Sequence, residues 1–176
     1  MQKHYVIFVI MISVVIMAGT FDCNNDTPRV INISALAFTA RSNPAGEEGY
    51  CNFEIYDLAV LGQQNGGRMS GVCTYFANVP FTEVEGEVLK FTVHFRDNSI
   101  ESDLTARLLA KRFATTDIFE PPIILAELAS SGREDDLQVL STTDISNPDI
   151  DLSSFYYYVE LSLNGLAAVG VQIEYK

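Results

Sequence analysis

Histidine is scarce in this chain, and so is positive charge. Of the two histidines, His4 lies in the N-terminal run and only His94 remains beyond it. A serine or cysteine hydrolase needs a base beside its nucleophile, usually a histidine oriented by a carboxylate. His94 alternates with Thr92 and Arg96 and reads as a solvent-facing strand residue. The patterns G-x-S-x-G, H-E-x-x-H, G-x-x-x-x-G-K and G-x-G-x-x-G are all missing. With them go the common nucleophilic, zinc-protease and phosphate-cradling chemistries. Paired carboxylates of the glycosidase kind remain open in principle, since acids are plentiful. Most of those acids fall in loops, without the apolar surroundings that raise a carboxyl pKa. The expectation is a protein that is not an enzyme.

The shortage of basic residues excludes other partners. Eleven Lys and Arg stand against 23 Asp and Glu, giving a net charge of −12. Such a surface repels phosphate backbones and anionic headgroups, so no nucleic-acid partner is expected. Cysteine is sparse too. Cys23, Cys51 and Cys73 have no zinc-like spacing, and too little histidine accompanies them for a metal site through sulfur.

What is present starts with an address. In MQKHYVIFVIMISVVIMAGT, Lys3 gives a positive start, Tyr5 to Met17 are apolar apart from Ser13, and Ala18-Gly19-Thr20 are small. That is the layout of a cleaved secretory signal peptide, too short for a comfortable span of about 20 apolar residues. The expected organisation is a signal peptide over 1–20, a polar lead-in over 21–29 and one domain over 30–176. Loss of Lys3 leaves ten basic residues against 23 acidic ones. The expected location is secreted, periplasmic or cell-surface. In an oxidising compartment Cys51 and Cys73 are the natural disulfide, closing a loop of about 23 residues worth about 3 kcal/mol if unstrained. Cys23 is then a free or intermolecular thiol, its flanking Thr20-Phe21-Asp22 being a poor context for lipid attachment.

Beyond residue 29 the dominant signal has period two. Ile31 and Ile33, Phe91 to Phe95, Tyr157 to Leu163 and Val169 to Tyr175 place apolar residues at alternate positions, as strands with one dry and one wet face do. Further strands are expected over 51–61, 72–76, 123–129 and 137–142. The breaks fall at Asn43-Pro44, Asn65-Gly66-Gly67, Glu85-Gly86, Pro121-Pro122, Ser130-Ser131-Gly132, Asn147-Pro148 and Asn164-Gly165. The fold class is therefore all-β, an antiparallel two-sheet sandwich, jelly-roll-like, of about eight strands. Residues 102–113 carry helix-forming residues but also alternate. Their place after a strand and a short polar loop favours a strand over the helix that propensity suggests.

The stretches VINISALAFTARS, FANVPFTEVEGEVLKFTVHFRDNSIESDLTARLL and YYYVELSLNGLAAVGVQIEY resemble a recurring type of uncharacterised secreted bacterial protein: a signal peptide followed by one β-sandwich domain. The chain departs from that type at its Gly/Gln/Asn-rich segment over 62–71. The resemblance implies the fold and the address. It implies no activity and no functional residues.

Two groups of residues are candidates for contact. In Phe155-Tyr156-Tyr157-Tyr158, alternation sends Tyr157 inward and Tyr156 and Tyr158 outward, a ligand-binding pair suited to sugar or to a protein interface. Leu109, on the nominally wet side of its strand, indicates that this face is partly covered. Asp97, Asn98, Glu101 and Asp103 gather oxygen donors in one inter-strand loop, a calcium-site candidate of irregular, non-EF-hand spacing. A hydrated turn explains the same residues. No cofactor is implied unless it is that calcium. The leading expectation is a secreted non-catalytic module acting in extracellular binding or assembly, with protein or carbohydrate partners and a possible homo-oligomer. The alternative is a calcium-dependent carbohydrate-binding module, and a glycosidase or other hydrolase ranks behind both.

Overall fold

The computed structural model describes residues 27–40, 54–56, 60–62, 73–97, 104–113, 120–131, 134–163 and 167–176. The chain enters through β1 (Arg29–Ser34), a 3-10 turn (Ala35–Ala37) and β2 (Thr39–Ala40). Then come β3 (Glu54–Tyr56), β4 (Val60–Gly62), β5 (Cys73–Asn78) and the long β6 (Glu85–Asp97). It continues with β7 (Thr105–Arg112), β8 (Ile123–Ala129), β9 (Glu134–Thr142), β10 (Asp149–Asp151), β11 (Phe155–Leu163) and β12 (Ala167–Tyr175). Every pairing between them is antiparallel.

Eight of these strands have six or more residues, and they form the jelly roll. One sheet, A, runs β1-β12-β6-β9; the other, B, runs β5-β11-β7-β8. The short strands extend the edges: β2 lies beside β5, β10 beside β6, and β4 with β3 beside β12. The expected sandwich of about eight strands is what the chain forms. The strand expected over 51–61 is instead two short pieces within the described residues, β3 and β4. Residues 105–112 are strand, not helix. Their alternation places Ala106, Leu108 and Ala110 in the core, and that burial outweighs the weak local preference for helix.

Period-two patterning determines which sheet face is dry. Along β11 the side chains of Tyr157, Val159, Leu161 and Leu163 are buried while the residues between them are not. They meet Phe91, Phe95, Val171 and Ile173 from sheet A across the sandwich. Each such side chain removed from water contributes about 1.5–3 kcal/mol. Gly170 lets the first strand close on the last: a Cβ there would stand 2.8 Å from the Ile33 carbonyl oxygen, well inside van der Waals contact. Among the described residues no helix is long and apolar enough to cross a membrane.

Candidate functional site

The outer face of sheet B is where aromatic side chains collect. On β11 the outward positions are Tyr156, Tyr158, Glu160 and Ser162, and register fixes what each meets. Tyr158 lies opposite Asn78 of β5 and Leu109 of β7; Glu160 lies opposite Phe76 and Arg107; Tyr156 lies opposite Lys111. Diagonal neighbours on one face are within reach of long side chains, so four rings form a strip. Phe76 and Tyr158 have centroids 5.8 Å apart and tilted by 58°. Tyr158 and Tyr156 are stacked with an offset at 5.8 Å and 25°. Tyr156 and Phe113 follow at 5.6 Å and 45°.

The strip has a supported end and an open end. Leu109 stands beside it, buried at 2% exposure although it lies opposite Tyr158 on the outer side of the sheet. Tyr158 is half-buried between its two ring neighbours. Tyr156 at 38% and Phe113 at 61% exposure are the open pair, and their tilt makes a shallow aromatic angle facing solvent. Of the two tyrosines expected as the contact pair, Tyr156 presents its ring to the outside and Tyr158 braces it. Phe113 and Phe76 are the members that sequence reading missed. Phe76 shows a signal of its own, since it alternates with buried Tyr75 and Ala77. Nothing local says that β5 lies beside β11.

Polar groups flank the strip. Arg107 donates through Nε to Glu127 Oε2 at 2.6 Å and through a terminal nitrogen to Glu160 Oε1 at 3.3 Å. The hydrogen bond to Glu127 is the main cause raising the guanidinium above its ordinary pKa, with the charge of Glu160 assisting. The result is a fixed cation held between two carboxylates, each with acceptor capacity to spare. Beyond the strip's open end, Arg112, the residue before Phe113, lies over the ring of Phe155 at 5.5 Å.

Other expected groups sit elsewhere. His94 faces out from β6 of sheet A, across the sandwich from the strip. Asp97 ends β6 opposite Glu134. Asn98, Glu101 and Asp103 lie outside the described residues, as do Cys23 and Cys51; Cys73 is buried at the start of β5. Asp151 is a carboxyl held below its ordinary range, first by the Ser153 hydroxyl and then by Ser154. A general acid requires the opposite shift.

No family model matches the chain, and no curated protein matches it. Solved structures do. One is the C-terminal CBM6 of LamC, a marine laminarinase from Zobellia galactanivorans, at 13% identity and TM-score 0.43, the match covering 82% of this chain and 98% of that one. A CBM4 structure matches at 13% identity and TM-score 0.33, covering 67% of this chain and 78% of the other.

Proposed function

We propose that this chain is a non-catalytic binding module that holds carbohydrate against the aromatic strip of sheet B. The observation that carries the reading is the open ring pair Tyr156–Phe113, continued by Tyr158 and Phe76 toward the Arg107–Glu160–Glu127 cluster at the other end of the strip. A pyranose presents apolar C–H faces and a rim of hydroxyls. Rings meet the first, while carboxylates and a guanidinium meet the second. The signal-peptide reading puts the module outside the cell, where polysaccharide is met. Calcium held by the loop containing Asp97, Asn98, Glu101 and Asp103 is the companion proposal, since extracellular modules work at millimolar calcium.

The test is calorimetric titration of the leaderless chain with a panel of soluble polysaccharides, with and without chelator. Binding is expected, weakened at least tenfold in Tyr156→Ala and in Phe113→Ala with the melting temperature unchanged; a tenfold loss is about 1.4 kcal/mol. A panel without a binder, or a binder indifferent to both substitutions, overturns the assignment. Affinity and stability that ignore the chelator overturn the calcium arm alone.

A further inference from the structure

We propose that sheet B takes a linear polysaccharide without acidic groups, laid lengthwise along β11 from the ring pair at one end to a row of unbonded hydroxyls at the other. The proposal rests on the carbohydrate reading above and adds the length and charge of the ligand. The outward side chains of β11 from Tyr156 to Ser162 span six residue steps of about 3.4 Å, or about 20 Å in all. β5 and β7 flank β11 on its two sides, so the lane they bound is two strand spacings, about 10 Å, wide. A single sugar on Tyr156 and Phe113 leaves most of that lane empty. The lane has the proportions of a chain.

Register sorts the lane into bands. Tyr158 has Asn78 and Leu109 as neighbours, Glu160 has Phe76 and Arg107, and Ser162 has Thr74 and Thr105. The face thus passes from rings, through the clamped guanidinium, to three hydroxyls side by side. Thr74, Ser162 and Thr105 are half-buried, and none of their hydroxyls has a hydrogen-bond partner among the described residues. Ser and Thr placed across strands on one face commonly bond one another. Here each keeps its donor and its acceptors open. Asn78 is exposed beside Tyr158, and its side-chain amide is likewise unbonded among the described residues. The hydroxyl rim of a sugar chain can replace the waters that meet such groups in the free protein. Charge excludes an acidic chain. Arg107 already holds Glu127 and Glu160, so the middle band has two carboxylates for one guanidinium. At the ring end Lys111 has a partner of its own and Arg112 lies over Phe155. With a net charge of −12 over the whole chain, a uronic or sulfated polymer meets repulsion along its length.

The test titrates the leaderless chain calorimetrically with neutral gluco-, xylo-, manno- and galacto-oligosaccharides of two to eight units, and with oligogalacturonates as the acidic probe. In the series that binds, affinity is expected to rise at least tenfold from the disaccharide to the longest member. Oligogalacturonates of equal length are expected to bind at least tenfold more weakly. A variant carrying Thr74→Val, Thr105→Val and Ser162→Ala is expected to lose at least tenfold on the longest member and nothing on the disaccharide, whereas Tyr156→Ala weakens both. Valine keeps the branched shape that suits a strand, so the variant is expected to melt as the parent does. Length dependence is read on the parent chain and decides even where the variant melts lower. Affinity that stops rising at the disaccharide, a hydroxyl-deleted variant that binds the longest member as the parent does, or equal binding of the acidic series overturns this proposal. A loss shared equally by disaccharide and longest member overturns it too. In each of these cases the aromatic site stands as long as Tyr156→Ala weakens binding. No binder in any series overturns both.

Discussion

The phenol of Tyr157 ties the two sheets together: its oxygen accepts the Asp151 N–H at 2.8 Å, and its proton points to the Asp149 carbonyl at 3.4 Å. Tyr157 belongs to β11 of sheet B, and Asp149 and Asp151 belong to β10 of sheet A. Burial pushes the phenol's pKa up, so it stays a neutral donor across the physiological range. Tyr157→Phe keeps the ring and its edge contact to Phe81 but leaves the Asp151 amide without its acceptor. The expected cost is about 1–3 kcal/mol, read from chemical denaturation, with carbohydrate binding intact.

Asp151 also organises the turn into β11. Its Oδ1 accepts from the Ser153 amide at 2.9 Å and from the Ser154 amide at 3.2 Å. The Ser153 hydroxyl, then Ser154, lowers its pKa below the ordinary value of 3.8. A carboxyl with a depressed folded pKa stabilises the fold above its unfolded pKa and loses that contribution as pH falls through the folded one. Asp151→Asn is therefore expected to lose stability near neutrality and to approach the parent as the pH falls below about 4, so that its acid limb is flatter. Parallel acid unfolding of the parent and the variant is the measurement. Coincident acid limbs count against it.

Leu109 and Phe113 separate support from contact. Leu109→Ala removes a buried side chain opposite Tyr158 and is expected to cost about 2–5 kcal/mol and to weaken carbohydrate binding through loss of the brace. Phe113→Ala removes an exposed ring and is expected to weaken binding at unchanged stability. Thermal melts beside calorimetric titrations distinguish the two. If Leu109→Ala destabilises without touching affinity, Tyr158 does not brace the site.

Cys73, buried at the first residue of β5, is expected to be bridged to Cys51. Peptide mapping without reductant should yield one linked fragment containing both and leave Cys23 apart. Reduction is expected to cost about 3 kcal/mol for a loop of about 23 residues. A Cys23–Cys73 fragment refutes that pairing.

The fold was legible because each long strand states its own dry face. Alternation over Phe91 to Phe95, Tyr157 to Leu163 and Val169 to Tyr175 needs no partner to be read, and the turn residues between such runs limit the topologies. Even β7, written in helix-forming residues, betrayed itself by alternation. The site was less legible, because it is a property of neighbours. Tyr156 was visible as an outward aromatic residue. Its ring neighbour Phe113 is 43 positions away in sequence and arrives only because β7 and β11 pair from Thr105 to Arg112. Phe76 comes from β5 on the other side of β11 in the same way.

The pairing of the first strand with the last, from Arg29 opposite Tyr175 to Ser34 opposite Gly170, brings the two ends of the sandwich to one corner. A short linker from Lys176 back to Arg29 would close the chain into a ring, because Arg29 lies opposite Tyr175 in the β1–β12 pair. The order in which the strands are synthesised is then a convention that the finished fold no longer needs, and a circularly permuted chain opened at a surface turn inherits the same pairings.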